Sequence, residues 1–535
     1  MKSFVNREAE LEVIDKAFDA LIDNKSLLRT PIVDFYGVEG IGKTAILEKI
    51  EQKCNDHNIR YIWANASKDI SHFSGEITQQ LQTKYRVELQ NDEEDWSHRP
   101  LNATRALLER GPVVMLLDSV DTTDVEQVRW LETMLRDLIE DNTLFVVLTS
   151  KRMLSFERER SVARKLTFVP VKPFDRSNSE LYLNSISDRI DPELHKVIFD
   201  PELRKVIFEW TRGYPLAIDV MVQAILSEQR LDPRRSQDQQ QLLDIIIKQV
   251  INQGILAKVE RTELSWYQSA LTLLSVPRRF NLVIMQDMIE TFAPELRLES
   301  SLAYMGLPKR INAATDVLSW NMPRAGFSVD APIRHIFLLK QRIEQPGTFA
   351  TINRFLADIN KRFTEEVPGS DRVRYLREYL YHSASTGDNQ ALPPILERTV
   401  REVIAGPPES FLQFFEEFSR DEELKEVLGS SVNIALSLIH RHLAETSRQS
   451  AKESSGADHL RALQDIFYHL MNDPENIDLP STLKQHLEEV IQAELPETSF
   501  KLFEELSRDE RFKEALGHDF DRFSLLIRNN LSTER

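Results

Sequence analysis

Cysteine, long apolar runs and positive charge are what this 535-residue chain has least of. Its one cysteine, Cys54, excludes an internal disulfide and any zinc site built on paired thiolates, as expected in a reducing compartment. Cys54 sits in a stretch with helical apolar spacing, where a small buried residue is expected. Nowhere do about 18 consecutive apolar residues occur, so no transmembrane helix is expected. The opening MKSFVNREAELEVIDKAF lacks the apolar core of a signal peptide. The expectation is a soluble, cytoplasmic protein with no membrane partner. Glycine (16) and proline (23) are too few for a low-complexity chain, and 41% of residues are apolar. Three or four mostly helical domains can each bury a core at this length. The 67 Lys and Arg against 85 Asp and Glu leave a net charge of −18, which repels nucleic acid at long range. Only a local basic patch would bind it.

One loop of fixed spacing is present. GVEGIGKT, residues 37 to 44, fits G-x-x-x-x-G-K-[ST], between a β-branched run, PIVDFYG, and the helical pattern AILEKIEQKC. Strand, loop and helix are the context such a phosphate loop needs. Gly37, Gly40 and Gly42 let the backbone of Val38, Glu39, Ile41 and Ala45 turn its amides onto phosphates at a helix N-terminus. Lys43 is expected to reach the β- and γ-phosphates and Thr44 to ligate Mg²⁺.

GPVVMLLDSVD, residues 111 to 121, is a buried-type strand ending in acid, and Asp118 would hold Mg²⁺ at the sheet edge where ligands bind. IRYIWANA, NTLFVVLTSKR and KLTFVPVKPF complete about five strands separated by helices. The pattern predicts a doubly wound α/β domain with a parallel sheet.

FVNREAEL, GVEGIGKT, VVMLLDSVD, LFVVLTSKR and TRGYPLAI come in the order found in STAND ATPases, the class that contains the NB-ARC and AP-ATPase proteins. The chain resembles that class over about its first 345 residues. The resemblance implies ATP and ADP as ligands, with Phe4, Val5, Asn6 and Arg7 near the adenine. It makes Lys151 or Arg152 the sensor of the γ-phosphate, since Thr149-Ser150-Lys151-Arg152 departs from the usual Thr-Thr-Arg or Thr-Ser-Arg. It also implies that Gly213-Tyr214-Pro215, with Leu216, lies over the nucleotide; glycine ending one helix and proline opening the next agrees. Ser119 follows Asp118 where many relatives have a second acid. Asp121, the next acid, is either the catalytic base or an N-cap.

The domains expected are 1–174, a P-loop ATPase; 175–252, an all-α helical domain; 253–345, a winged helix; and 346–535, an α-helical repeat region. Within the second, DPELHKVIFDPELRKVIF writes a nine-residue unit twice. Asp200 and Pro201 read as an N-cap and first helical position, so two short helices are expected. In the third, WYQSALTLLSV and LVIMQDMIETF are helices, and DVLSWNMPRAGFSVDAPIRHIFL contains a hairpin-like wing. The resemblance implies a contact with the ADP phosphate near Asp330, Arg334 and His335.

In the last region FEEFSRDEELKEVLG (415 to 429) recurs as FEELSRDERFKEALG (503 to 517), and EVI precedes both copies, at 402 and 489. Ser419 with Glu422 and Ser507 with Glu510 read as capping boxes, closed by Gly429 and Gly517. Duplicated bundles or a short solenoid follow, serving either to recognise a trigger or protein partner or to support the ATPase. Phe411, Phe414, Phe415 and Phe418 fit a core face. His440 and His442 fall on different sides of a helix, which disfavours a metal site. AETSRQSAKESSGADH, residues 444 to 459, is expected to be a mobile linker.

The leading expectation is a switch: ADP locks a closed monomer, exchange for ATP opens it for self-association, and slow hydrolysis resets it. With FVNREAEL beginning at Phe4, no effector enzyme is expected ahead of the ATPase. Two other readings stay open. One is a DNA-binding AAA+ ATPase of the archaeal origin-recognition kind, using its winged helix, with Arg212 as the candidate sensor arginine. The other is a nucleotide-binding scaffold without turnover.

Overall fold

The computed structural model describes residues 7–23, 28–67, 69–88, 99–120, 124–139, 143–187, 200–227, 230–321, 326–476 and 478–533. It forms two compact units, Met1–Pro346 and Gly347–Arg535.

The first unit opens with a parallel sheet of β1 (Ile32–Tyr36), β2 (Arg60–Asn65), β3 (Val113–Val120), β4 (Leu144–Ser150) and β5 (Leu166–Pro170). The strand order is β2-β3-β4-β1-β5, so β1 is flanked by β4 and β5, with Ile32 facing both Val146 and Leu166. Side chains alternate between faces. On one face Ile62, Met115 and Val146 pack on α3 (Ile70–Tyr85), α4 (Arg99–Leu108) and α5 (Val125–Leu138) through Phe73, Leu107 and Leu131. On the other, α1 (Glu8–Asp23) sets Phe18 edge-on to Phe145, and α2 (Lys43–Asp56) buries Ile46, Leu47, Ile50 and Cys54. Burial pushes the Cys54 thiol up to about 12. Both faces are covered, which is why these strands are mainly apolar.

After α6 (Arg160–Ala163) come α7 (Arg176–Ser187), α8 (Pro201–Thr211), α9 (Pro215–Leu226) and α10 (Ser236–Ile246), which continues as a π-helix to Ile255. The Asp200 carboxylate accepts from Glu202 N and Pro201 takes the first turn of α8, as the second nine-residue unit predicts. The first unit, 191–199, lies outside the described residues. The winged helix consists of α11 (Leu264–Leu274), α12 (Leu282–Phe292), α13 (Ser301–Thr315), the antiparallel wing β6 (Leu318–Asn321) and β7 (Gly326–Val329), and α14 (Ala331–Glu344).

The second unit is helical: α15 (Pro346–Glu366), α16 (Gly369–Ser385), α17 (Leu392–Ile404), α18 (Pro408–Arg420), α19 (Glu422–Leu428), α20 (Val432–Glu453), α21 (Gly456–Met471), α22 (Leu479–Ala493), α23 (Pro496–Leu506), α24 (Glu510–Leu516) and α25 (Asp519–Thr533). The repeat is wider than its sequence signature. Helices α15 to α19 return in order as α20 to α24, and α20 returns as α25. Leu376, Leu380 and His382 of α16 correspond to Leu463, Phe467 and His469 of α21, and each copy has its own core. Phe411, Phe414 and Phe418 are buried in the first, with Phe415 packed beside them.

Two expectations are corrected. Residues 444–459 are not a mobile linker: they finish α20 and begin α21, interrupted only at Ser454-Ser455. Buried Ala444 and Ala451 supply the small contact surface that the low apolar content concealed. The capping boxes also fail. Ser419 lies inside α18, and the Ser507 hydroxyl donates to the Phe503 carbonyl. The caps are Asp421, which accepts from Leu424 N, and Asp509, which accepts from Arg511 N. A carboxylate next to the free amides of a helix N-terminus outcompetes a hydroxyl two residues earlier. Gly429 and Gly517 do end their helices, at φ 55° and 50°.

Candidate functional site

The loop leaves β1 at its C-terminal end, where Gly37 N donates to the Ser150 carbonyl at 3.1 Å. Buried Val38 and Ile41 pin it from below. Gly40, at φ 75°, passes under Leu216 so closely that a Cβ would lie 2.6 Å from Leu216 Cδ2. Gly42, at φ 104°, opens α2 with no side-chain cap, leaving its first amides directed out of the loop with the positive end of the helix dipole. Lys43 Nζ donates to the carbonyls of Gly37 (2.6 Å) and Val38 (3.1 Å). Burial, then neighbouring Lys151, lowers the Lys43 ammonium to about 8. Arg7 clamps the loop: it donates to the Ile41 carbonyl (2.8 Å) and the Lys172 carbonyl (2.7 Å), with its guanidinium 4.7 Å from the centre of the Phe174 ring. Phe4, Val5 and Asn6 lie outside the described residues, as does Asp121.

Asp118 reaches the loop from the end of β3. It accepts from Thr44 Oγ1 at 3.0 Å and Thr149 Oγ1 at 2.6 Å. Ser119, at φ 61°, turns the chain outward and donates its N–H to Thr149 Oγ1 at 2.7 Å. A second carboxylate, Asp34, is buried within β1. It lies 2.7 Å from Ser150 Oγ and accepts from Leu154 N at 3.0 Å, and burial raises it to about 6 against these bonds. An acid inside the apolar run IVDFY was a signal for it that sequence analysis passed over.

The two adjacent basic residues part company. Lys151 pairs with Glu39 of the loop at 2.7 Å. Arg152 faces the winged helix, donating to Asp316 Oδ1 (3.1 Å), the Asp316 carbonyl (2.7 Å) and Asp330 Oδ1 (3.0 Å). Asp330 thus meets Arg152, while buried Arg334 donates to the carbonyls of Pro277 (3.3 Å) and Val276 (3.2 Å). His335 Nε2 lies 2.8 Å from the Glu209 carbonyl oxygen; burial, then Arg212, pushes its imidazole down to about 3.

These elements enclose a cavity of about 590 Å³. Arg7, Glu39, Gly40, Gly42, Lys43, Thr44, Ala45, Ser119, Ser150 and Lys151 line it from the sheet domain. Tyr182, Pro215, Leu216 and Asp219 line it from the helical domain, and Asn312 to Asp316, at the end of α13, from the winged helix. Tyr214 is fully buried beneath, its hydroxyl donating to the Glu39 carbonyl. Tyr182 of α7, Asp219 of α9 and Asn312 to Asp316 of α13 carry no sequence motif, so only the fold reveals them.

The residues present fit a nucleotide with a divalent cation. The volume is that of a cofactor pocket. The glycines leave room that a Cβ would fill, uncapped amides and an ammonium converge on one end, and a hydroxyl and a carboxylate stand 3.0 Å apart beside them. Mg²⁺ takes few protein oxygens and completes its shell with phosphate and water.

A parallel sheet carrying this loop at the end of an interior strand, β1, defines a nucleotide-binding domain of the P-loop ATPase class. Residues 11–165 match the NB-ARC domain family. No curated protein matches the chain. Similar solved structures include the Aeropyrum pernix ORC1 protein in complex with DNA, at 16% identity over 63% of this chain and 93% of that one, TM-score 0.36. Others are Cdc6p of Pyrobaculum aerophilum (14%; 64% and 96%; 0.34) and the Thermotoga maritima RuvB Holliday junction branch migration motor (13%; 62% and 94%; 0.32). Likeness at these scores is too loose to carry function. Among the described residues no helix is long and apolar enough to cross a membrane, and no three His, Cys, Asp or Glu cluster to hold a metal.

Proposed function

We propose that the chain is a STAND-type switch whose state is set by ADP or ATP with Mg²⁺. The observation that carries the reading is that one cavity is walled by three successive domains, so a ligand there touches all of them. Lys43 and the α2 amides would hold the phosphates, Thr44 and Asp118 the cation, and Pro215 and Leu216 the upper face. When bound, Mg²⁺ would bridge and neutralise phosphate oxygens. A ligand shifts a conformational equilibrium only by contacts that differ between the states. The contacts of Leu216 and of Asn312 to Asp316 are of that kind, because separation of the domains removes them while leaving the loop intact. ADP favours the assembled form, exchange for ATP releases it for self-association or for a protein partner recognised by the helical repeats, and slow hydrolysis resets it.

The surface of the winged helix does not favour nucleic acid. Along α13 the exposed side chains include Leu302 and Met305, and Arg310 is engaged by Glu263 at 3.0 Å and by the Trp266 ring at 4.0 Å. The overall charge of −18 acts in the same direction.

The test is nucleotide analysis of the purified chain, with light-scattering mass in ADP, ATP or neither, for wild type, Lys43→Ala and Asp118→Ala. Wild type is expected to carry ADP as a monomer, and Lys43→Ala to lose nucleotide while remaining folded. Absence of bound nucleotide together with no affinity for ADP or ATP would end the reading; retardation of duplex DNA that survives physiological salt would replace it.

A further inference from the structure

The helical repeats contain their own control. In the second copy, the space between the end of α20 and helices α21 and α22 is bridged by side chains. Arg448 donates to His486 Nε2 at 2.6 Å, which leaves His486 Nδ1–H to donate to Glu489 at 2.9 Å. Beside them His459 Nε2 meets Glu494 at 2.9 Å.

In the first copy the matching space, between the end of α15 and helices α16 and α17, is a cavity of about 510 Å³. The repeat register puts Lys361 where Arg448 stands, Arg372 at His459, Thr399 at His486 and Glu402 at Glu489, and all four line the cavity. Two groups have gone. Threonine replaces the imidazole that joined the cation to the carboxylate. The loop after α17, Ala405-Gly406-Pro407, is one residue shorter than Gln492-Ala493-Glu494-Leu495 and brings no acid. Among the described residues no ion pair engages Lys361, Arg372 or Glu402, and Arg398, on the cavity rim, reaches only the Tyr379 hydroxyl, at 3.3 Å. Leu376 and buried Tyr379 form an apolar floor.

We infer that this cavity is a binding site for a small zwitterion, a free amino acid or dipeptide. What the first copy lacks relative to the second is one carboxylate and one nitrogen donor, and such a ligand supplies both. Its carboxylate takes the place of Glu494, against Arg372 and Arg398, and its ammonium donates to Glu402 in place of His486. The lining has as many cations (Lys361, Arg372, Arg398) as carboxylates (Glu365, Glu366, Glu402), which matches a ligand of no net charge. A carboxylate held by guanidinium is the strong, directional contact of such a site. The floor accommodates an aliphatic or aromatic side chain. The site is independent of the nucleotide reading and gives the repeat unit a ligand of its own.

Calorimetry of the full chain against a panel of free amino acids and dipeptides tests it, with the same compounds blocked as N-acetyl amides. At least one unblocked compound is expected to bind with a micromolar to millimolar constant, and its blocked form about ten-fold more weakly or worse. Arg372→Gln should weaken binding by about ten-fold. Lys361→Arg with Thr399→His copies the bridge of the second repeat into the cavity; it should abolish binding while helical circular dichroism is unchanged. Lys43→Ala should bind the compound as wild type does, so that failure of the nucleotide switch leaves this result standing. No binding across the panel at millimolar concentrations, or equal binding by wild type and both cavity variants, overturns the inference.

Discussion

Arg152→Ala removes the polar fastening between the nucleotide domain and the winged helix. Three bonds go with it, to Asp316 Oδ1, the Asp316 carbonyl and Asp330 Oδ1, from a side chain only 23% exposed. Exposed ion pairs contribute under about 1 kcal/mol, whereas breaking a buried one costs about 3 to 5 because the remaining charge stays desolvated. With both aspartates less than a fifth exposed, a cost of about 2 to 4 kcal/mol falls on the assembled form alone. That is a gain of roughly thirty- to several-hundred-fold in the opened population. Release of a fluorescent ADP analogue, followed by stopped flow, should accelerate accordingly, and the ATP-bound mass should rise. The pH dependence supplies a second readout. Burial, with Asp316 adding, raises Asp330 to about 6 in the assembled form, against the pull of Arg152 and Lys43. Opened and hydrated, the same carboxyl returns to the ordinary value near 4. The assembled form therefore binds the extra proton, and it gains stability as pH falls through 6 and loses that gain above it. Without Arg152 the carboxyl rises further, so acid should rescue the variant: the excess release rate at about pH 7.5 should shrink at about pH 5.5. Release within two-fold of wild type at the higher pH, or an excess that grows on acidification, would refute the reasoning.

Gly213→Ala should be severely destabilising, because Gly213 has φ 72° and a Cβ would lie 1.8 Å from the Phe174 carbonyl oxygen. The expected loss is about 3 kcal/mol or more, and a thermal midpoint within about 2 °C of wild type would contradict it. Asp509→Ala should cost about 1 kcal/mol through its helix cap, by urea unfolding. Asp421→Ala should cost about 2 to 3, since Asp421 also forms a buried pair with Arg377 whereas the Asp509 pair with Arg511 is exposed; equal losses would show that the buried pair is idle.

The parts of the site that were legible in the sequence are those where geometry demands one residue type. Gly40 and Gly42 stand at positive φ, Lys43 must be long and cationic, and Asp118 ends an apolar strand, so each leaves a mark at fixed spacing. Strand limits were legible because a sheet covered on both faces needs continuous apolar runs. Asp316, Asn312, Tyr182 and Asp219 were not, since side chains gathered by tertiary packing from helix ends and faces need no common spacing. Residues 444–459 misled for a related reason: alanine and serine carry little apolar weight in a window average, yet small side chains are what close helix packing uses. The caps misled because serine three residues before glutamate satisfies the capping box at two positions, and the choice between Ser419 and Asp421 depends on where α18 ends.

The pair Lys151 and Arg152 joins the cavity to the winged helix. Ser150 ends β4, and its hydroxyl oxygen lies 2.7 Å from Asp34 Oδ1 and 2.6 Å from the Arg152 carbonyl oxygen, while Asp34 Oδ2 holds Leu154 N. The turn is therefore fixed at both ends by a carboxylate in β1, the strand that runs directly into the glycine-rich loop. Held this way, consecutive basic side chains diverge: Lys151 goes to Glu39 at the cavity and Arg152 to the winged helix. A shift of the loop that moved Lys151 could not leave the Arg152 backbone in place, because both depend on the same Asp34 and Ser150 contacts. Coupling between the cavity and the winged helix then requires no long pathway. It requires only that Asp34 stay ionised and bonded, and its carboxyl, raised to about 6, remains so at neutral pH.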